Sequence, residues 1–321
     1  MAGRESDNNA VILEIQRMST EDGPGIRTTV FFKGCTLRCA WCHNPESLSP
    51  KPQIHWVGVR CIGCGICIKA CPNKALSSTD KGISIDRKVC AGCGACAKEC
   101  PSTAMELLGK TWELHALIRE VLKDRAYFEK SGGGVTISGG EPTAQARFSA
   151  AFLKGLQDAG IHTALDTCGM CPKENLEMIL PHADLVLFDI KLIDSARHKA
   201  LTGAANDLIL SNLATVARSM KERGAPSELW IRTPVIPEAT SSRENVAAIG
   251  RYLAANLNGA VSRWELCSFN NLCRDKYVRL GMDWAYKEYG LVAKSAMEDL
   301  AAAAADSGVD PKIVHWSGAT A

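Results

Sequence analysis

Long hydrophobic runs are absent: nothing in the 321 residues approaches the 18 or more apolar positions that a membrane-spanning helix needs. A surplus of one charge is absent too. Lys and Arg number 37 against 35 Asp and Glu, a formal +2, which argues against a general nucleic-acid or membrane-surface role. No export signal is visible, because Met1 to Asn9 is polar and the apolar stretch after it is too short. A cytoplasmic, reducing compartment is therefore expected, and there the fifteen cysteines are not a disulfide framework. Metal ligation is the better account of so many thiols. Exposed clusters are oxidised by oxygen, so an anaerobic host is expected as well. The length is enough for a large core in one or two domains.

Three of the cysteines, Cys35, Cys39 and Cys42, are spaced C-x3-C-x2-C directly after the apolar run Ile26 to Phe32. A strand feeding a tight cysteine loop can fold three thiolates around one face of an iron–sulfur cluster. Cubanes usually take four cysteines; with three, one iron keeps an open position where chemistry can occur. A structural zinc site or unconnected core cysteines would be the plainer reading, but zinc ribbons are not spaced this way. The segment C-x3-C-x-Trp-C resembles the radical S-adenosylmethionine (SAM) signature. Upstream, Asp22-Gly23-Pro24-Gly25-Ile26-Arg27 resembles the signature of the activating enzymes of glycyl radical enzymes. With the cysteine region described next, the resemblance covers the chain from about Ile15 to Tyr277.

Residues 53–104 contain an internal repeat. Cys61-x2-Cys64-x2-Cys67-x3-Cys71-Pro72 recurs 29 residues later as Cys90-x2-Cys93-x2-Cys96-x3-Cys100-Pro101. It resembles the run of bacterial two-cluster ferredoxins, in which the fourth cysteine ligates the other cluster. That resemblance assigns Cys61, Cys64, Cys67 and Cys100 to one cluster and Cys90, Cys93, Cys96 and Cys71 to the other. Seven Lys and Arg against three Asp and Glu in this segment offset the negative clusters or simply form a solvated surface. From Thr111 onward helices and strands alternate. Strands are expected over Ile26–Phe32, Val135–Ser138, His162–Asp166, Asp184–Lys191, Glu228–Val235 and Ser262–Ser268, with a leading strand over Val11–Arg17 and a frayed tail over residues 1–10. Six βα units imply a parallel sheet with right-handed crossovers and are too few for a closed eight-stranded barrel. The resemblance implies an open partial barrel and the count agrees with it, so the fold class expected is α/β: a partial (β/α)6 TIM-like barrel over 11–52 and 105–290. A ferredoxin-like insert occupies 53–104 and a C-terminal helical extension 291–321.

Function in such sheets gathers at the carboxyl ends of strands. The resemblance places the methionine amino group of SAM at Gly139-Gly140-Glu141, with Glu141 able to accept from an ammonium. It sets Asp166, Asp189, Ile190 and Lys191 near the ribose and carboxylate, and Arg232 beside a carboxylate or the sulfonium. The backbones of Trp41 and His43 fall next to the adenine. Where the family has Pro-Tyr-His at the end of the sixth strand, this chain has Ser268-Phe269-Asn270, so Asn270 stands where a SAM-contacting histidine is expected. Cys168 and Cys171 read either as a redox pair or as small buried hydrophobes, and Cys267 and Cys273 fit no further cubane.

The resemblance implies three [4Fe-4S] clusters and SAM as cofactors, and Cys35, Cys39 and Cys42 as the catalytic cluster ligands. Reductive cleavage of SAM yields a 5′-deoxyadenosyl radical that takes hydrogen from a backbone glycine of a partner enzyme. The string Phe269 to Tyr277 resembles activators of fumarate-adding synthases, which make benzyl- or alkylsuccinates; activators of a decarboxylase, dehydratase or lyase are the alternative. A radical SAM enzyme acting on a small molecule and a mere electron-transfer module remain as rivals. Reduced ferredoxin or flavodoxin is the electron donor expected. The insert serves either as the relay from that donor or as a dock for the partner enzyme.

Overall fold

The structure, a computed structural model, describes residues 8–257 and 259–321. In chain order the strands are β1 (Asn9–Ser19), β2 (Arg27–Phe32), β3 (Gln53–Trp56), β4 (Leu76–Thr79), β5 (Gly82–Ile85), β6 (Met105–Leu108), β7 (Lys110–Glu113), β8 (Gly134–Gly139), β9 (His162–Thr167), β10 (Leu185–Asp189), β11 (Glu228–Val235), β12 (Arg263–Ser268) and β13 (Val314–Ser317). Nine of them form one sheet in the order β13-β12-β11-β10-β9-β8-β2-β1-β7. From β2 through β8 to β13 the pairings are parallel, while β1 lies antiparallel between β2 and β7. The sheet is therefore an open, partial barrel with β7 and β13 at its edges. Among the described residues no helix is long and apolar enough to cross a membrane.

The parallel strands read as nearly unbroken apolar runs because both faces are covered. Val30, Phe32, Val135, Ile137, Leu165, Val186, Phe188, Ile231 and Leu266 are all fully buried. On the outer face they meet helices such as Ala146–Asp158, whose Phe152, Leu153 and Leu156 are inaccessible to solvent. Each such side chain contributes about 1.5–3 kcal/mol of burial. Two expectations need correction. Of the frayed tail over 1–10, Asn9 and Ala10 belong to β1, and residues 1–7 lie outside the described residues. The stretch 291–321 is also not helical throughout. Its helix, Lys294–Ala305, is a crossover that returns the chain as β13, paired in parallel with β12. A four-residue strand with half-exposed side chains has too short an alternation to read from sequence.

The loop between β1 and β2 turns inward. The Asp22 carboxylate accepts from the hydroxyls of Ser19 and Thr29, both at 2.6 Å, and Glu21 reaches the barrel interior. Arg27, wholly buried, donates to Thr136 Oγ1 (2.6 Å), Val135 O (2.9 Å) and Pro24 O (3.2 Å). The Asp22–Arg27 signature thus braces β2 to β8 beneath the cavity. The insert is joined to the barrel by the antiparallel pair β3–β6 and carries the hairpin β4–β5.

Two glycines test the brace. Gly25 and Gly132 share a left-handed φ of +68°, but a Cβ on Gly25 would lie 2.5 Å from Gly133 N, whereas one on Gly132 meets nothing within 4 Å. Gly132→Ala is expected to cost only the left-handed penalty, about 1–2 kcal/mol. Gly25→Ala is expected to cost about 2 kcal/mol more, read as a larger drop in thermal unfolding temperature. Equal losses would contradict the close-approach role of Gly25.

Candidate functional site

The loop carrying Cys35, Cys39 and Cys42 has no regular structure of its own, and its neighbours hold it. Arg38 N donates to Thr202 O (2.7 Å) and Ala40 N to Leu201 O (2.9 Å), docking the loop on the end of helix Ser195–Thr202. Thr36 Oγ1 donates to Met170 O (2.7 Å). From the other side comes helix Arg274–Leu280. The Tyr277 hydroxyl donates to Cys42 O (2.8 Å), and Lys276 Nζ donates to His43 O (3.2 Å) while pairing with Glu46 (2.6 Å). Beneath the loop lies a small aromatic core of Trp41, Phe269, Tyr277, Trp284 and Tyr286, with Tyr277 stacked on Trp284 at 5.2 Å.

All three cysteines line one cavity of about 420 Å3 at the carboxyl end of the sheet. That size lies in the ordinary range for small-molecule sites. Trp41, His43, Gly139, Gly140, Asp166, Asp189, Lys191, Arg232 and Asn270 line it too. The charged members are paired. Lys191 Nζ donates to Asp189, Ser138 Oγ donates to Asp166 at 2.6 Å, and Arg232 stands 3.9 Å from Asp166 and 3.7 Å from Glu265. Burial raises Asp166 to about 7 against the pull of Arg232. Burial opposes the charge on Lys191, but Asp189 outweighs it and holds the ammonium.

Two expected residues do not line the cavity. Ile190 is buried, its N–H donating to Arg232 O within the sheet (2.9 Å). Glu141 is turned into the protein and fully buried. Its carboxylate accepts from Thr143 N (3.1 Å), Thr143 Oγ1 (2.8 Å), Thr167 Oγ1 (2.8 Å) and Cys168 N (2.9 Å). It acts as a tie between the ends of β8 and β9 rather than as an open acceptor, and the residues facing the cavity there are Gly139 and Gly140. Asn270 lines the cavity, but its side-chain carbonyl accepts from Leu272 N (3.1 Å). Other lining residues went unnoticed in sequence: Glu21 on the inward loop, Ser317 at the end of β13 and Gly318 after it; Cys267, noted only as a cysteine outside the cubanes, lines the cavity too. Cys168 also lines the cavity, and its thiol holds the Cys35 pKa below the ordinary thiol value. Cys171 is buried deeper, 3.7 Å from Asn212 Nδ2, and both thiols are free.

Two smaller cavities occupy the insert. Cys61, Cys64, Cys67 and Cys100 line one; Cys71, Cys90, Cys93 and Cys96 line the other. The second is tied to the barrel through Arg87, which donates to Ile54 O and, at 3.2 Å, to Arg279 O of helix Arg274–Leu280. Among the described residues no group of three or more His, Cys, Asp or Glu side chains is disposed to hold a lone metal ion. A cubane makes a different demand, one iron per thiolate. The donors suit it: burial pushes the Cys39 thiol up to about 11, Cys42 to about 12 and Cys96 to about 11, so thiolates there need a positive core beside them. The main cavity also contains an unanswered polar atom, since His43 Nε2 is buried without a partner.

A partial barrel with three cysteines at the end of its first parallel strand, and a four-plus-four cysteine insert, defines a radical SAM enzyme with auxiliary iron–sulfur sites. A family model described as a 4Fe-4S dicluster domain matches residues 60–104. The chain is 43% identical over 284 residues to the trans-4-hydroxy-L-proline dehydratase activating enzyme of Clostridioides difficile, covering 88% of this chain and 89% of that protein. It is 38% identical over 288 residues to the benzylsuccinate synthase activating enzyme of Thauera aromatica, covering 88% and 85%. The crystal structure of Streptococcus suis SuiB bound to the precursor peptide SuiA shares the fold, with a TM-score of 0.50 at 13% identity over 88% of this chain and 46% of that one. The chain belongs to the family of radical SAM activating enzymes of glycyl radical enzymes.

The tie at Glu141 has a direct consequence. Glu141→Gln puts an amide N–H against buried donors, at a cost of about 1–3 kcal/mol. The variant is therefore expected to unfold at lower temperature even with no SAM added. An unchanged unfolding temperature, with only SAM affinity reduced, would mean that the carboxylate serves the ligand alone.

Proposed function

We propose that this enzyme activates a partner glycyl radical enzyme by abstracting hydrogen from one backbone glycine of that partner. The carrying observation is the single cavity on which the three loop cysteines, Gly139–Gly140 and the paired charges of Asp166, Asp189, Lys191 and Arg232 converge. In this reading Cys35, Cys39 and Cys42 hold one four-iron cluster, Cys61, Cys64, Cys67 and Cys100 a second, and Cys90, Cys93, Cys96 and Cys71 a third. When bound, the first cluster and SAM supply a 5′-deoxyadenosyl radical by one-electron reduction, and the insert clusters supply electron relay from a reduced ferredoxin or flavodoxin.

The chain's own residues position and exclude. Gly139 and Gly140 present backbone rather than side chains to the methionine end of SAM. Asp166 and Asp189 offer acceptors to the ribose, while Lys191 and Arg232 offer donors to the carboxylate. Trp41 and His43 place their backbone beside the adenine, over an aromatic core that excludes water. Near-contact geometry and a dry site are what hydrogen abstraction requires. Leu272, 85% exposed two residues after the rim residue Asn270, offers an apolar contact to a protein loop entering the cavity. For the partner, the string Phe269 to Tyr277 favours a fumarate-adding synthase, and the 43% identity to a dehydratase activator favours a dehydratase as the second reading.

Three cubanes amount to about twelve irons per chain. Anaerobically reconstituted protein is expected to approach that count. Changing Cys35, Cys39 and Cys42 together to Ala is expected to leave about two thirds of the iron, by the same cubane stoichiometry, and to abolish SAM cleavage. Persistent cleavage would overturn the assignment of the chemistry to these three cysteines. Mixing wild type, SAM and reductant with each candidate partner should produce a glycyl radical, seen by electron paramagnetic resonance, on the cognate enzyme alone.

A further inference from the structure

We propose that the two cysteine cages of the insert stand in a fixed order, and that the cage of Cys71, Cys90, Cys93 and Cys96 is the immediate source of electrons for the loop of Cys35, Cys39 and Cys42. The inference rests on the relay reading above and names which cage is inner and which outer. Exposure does not order them, because Cys64 and Cys93 are exposed alike. The ladder of β3 and β6 does. Its pairs run from Gln53 and Leu108 to Trp56 and Met105. The first pair is the barrel end. Lys33, directly after β2, donates from Nζ to Gln53 Oε1 (3.2 Å), and a Cβ on Gly109, between β6 and β7, would meet the same lysine side chain. The cages take different ends of this ladder. Ile54 lines the cavity of Cys71, Cys90, Cys93 and Cys96. Gly92, between two of those cysteines, adopts a left-handed φ of +65° against Pro52 O, and a Cβ on Gly94 would lie 3.0 Å from Leu107 Cδ2. Trp56, Ala104 and Met105 line the cavity of Cys61, Cys64, Cys67 and Cys100. The step from Ile54 to Trp56 leads about 7 Å along the strand, away from the barrel.

Two further ties join the inner cage to the cysteine loop. Segment 47–52 leads from one to the other. At its start Gly34 N donates to Ser47 O (2.7 Å) and Cys35 N to Leu48 O (3.4 Å), and at its end Pro52 O faces Gly92. Arg87 donates to Ile54 O and Arg279 O, and the helix of Arg279 holds Cys42 O through Tyr277. Tunnelling falls steeply with distance, so an electron reaches the loop from the nearer cage. One electron leaves a reduced ferredoxin or flavodoxin, which is oxidised by one, and one arrives at the loop site, which is reduced by one. No bond forms or breaks within the insert.

The test reads the electron paramagnetic resonance of the fully reduced, reconstituted holoenzyme. The signal missing from the variant with Cys35, Cys39 and Cys42 changed to Ala marks the loop cluster. A paramagnetic neighbour speeds the relaxation of that signal, more steeply the nearer it lies. Changing Cys90 and Cys93 together to Ala is expected to lower the microwave power at half-saturation several-fold. Changing Cys61 and Cys64 together to Ala is expected to leave it at the wild-type value. Each of these variants should keep about eight irons by cubane stoichiometry. Where a pair of changes empties the whole insert, Cys93→Ser and Cys64→Ser take their place. An oxygen ligand retains the cluster but lowers its potential, so it stays diamagnetic at a poise that reduces the others. Only Cys93→Ser should then slow the relaxation. An equal loss from both cages, a larger loss from the outer one, or no loss from either overturns the order. The relay reading is tested apart, by flavodoxin-driven SAM cleavage in a variant lacking both insert sites. A full rate there ends the relay, while the spins still report which cage lies nearer the loop.

Discussion

Everything at this site depends on a ten-residue loop that cannot hold its own shape. Residues 35–44 form no helix or strand, and fixing each residue's backbone costs about 1–2 kcal/mol. The fold meets that cost from outside. The last turn of helix Ser195–Thr202 receives two of the loop's amides, and helix Arg274–Leu280 binds the carbonyls of Cys42 and His43 through Tyr277 and Lys276. Net hydrogen bonds of about 1 kcal/mol each, together with burial of Trp41 and its aromatic neighbours, hold three thiols toward one cavity. The same helix touches Arg87 of the insert, so the loop and the second cysteine cage share one rigid element.

Charge follows the same logic. Lys191 and Arg232 are surrounded by Asp166, Asp189 and Glu265, so each cation in the cavity already has an anion beside it. Removing one partner from such a buried set costs more than the pair contributes, about 3–5 kcal/mol. A ligand bearing an ammonium, a carboxylate and a sulfonium meets a wall in which both signs are held ready, without large rearrangement.

Much of this was legible in the residues. The parallel strands were visible as apolar runs between helical periods, and strand β11 has the very bounds the pattern implied. The interleaved cysteine sets were legible because the repeat carries its own crossing rule, and each set of four does line one cavity. What escaped was side-chain direction. Nothing in Gly-Gly-Glu-Pro says that the Glu141 carboxylate points inward, because the donors it meets, Thr167 and Cys168 N, come from a strand 26 residues away. The place of Cys267 in the cavity and the part of Gly318 were missed for the same reason, since they reach the cavity only through strand order. The string Phe269 to Tyr277 resembles activators of fumarate-adding synthases, and its structural part as well could not be read from sequence. In the fold, Phe269, Cys273 and Tyr277 are buried against the cluster loop and serve it.

The central claim is that the cavity delivers a radical to a glycine of another protein. Its most direct test uses a partner enzyme labelled with α-deuterated glycine, incubated anaerobically with this enzyme, SAM and a reductant. The account predicts that 5′-deoxyadenosine gains one deuterium in step with the glycyl radical signal on the partner. Unlabelled 5′-deoxyadenosine alongside a full glycyl radical signal would contradict it.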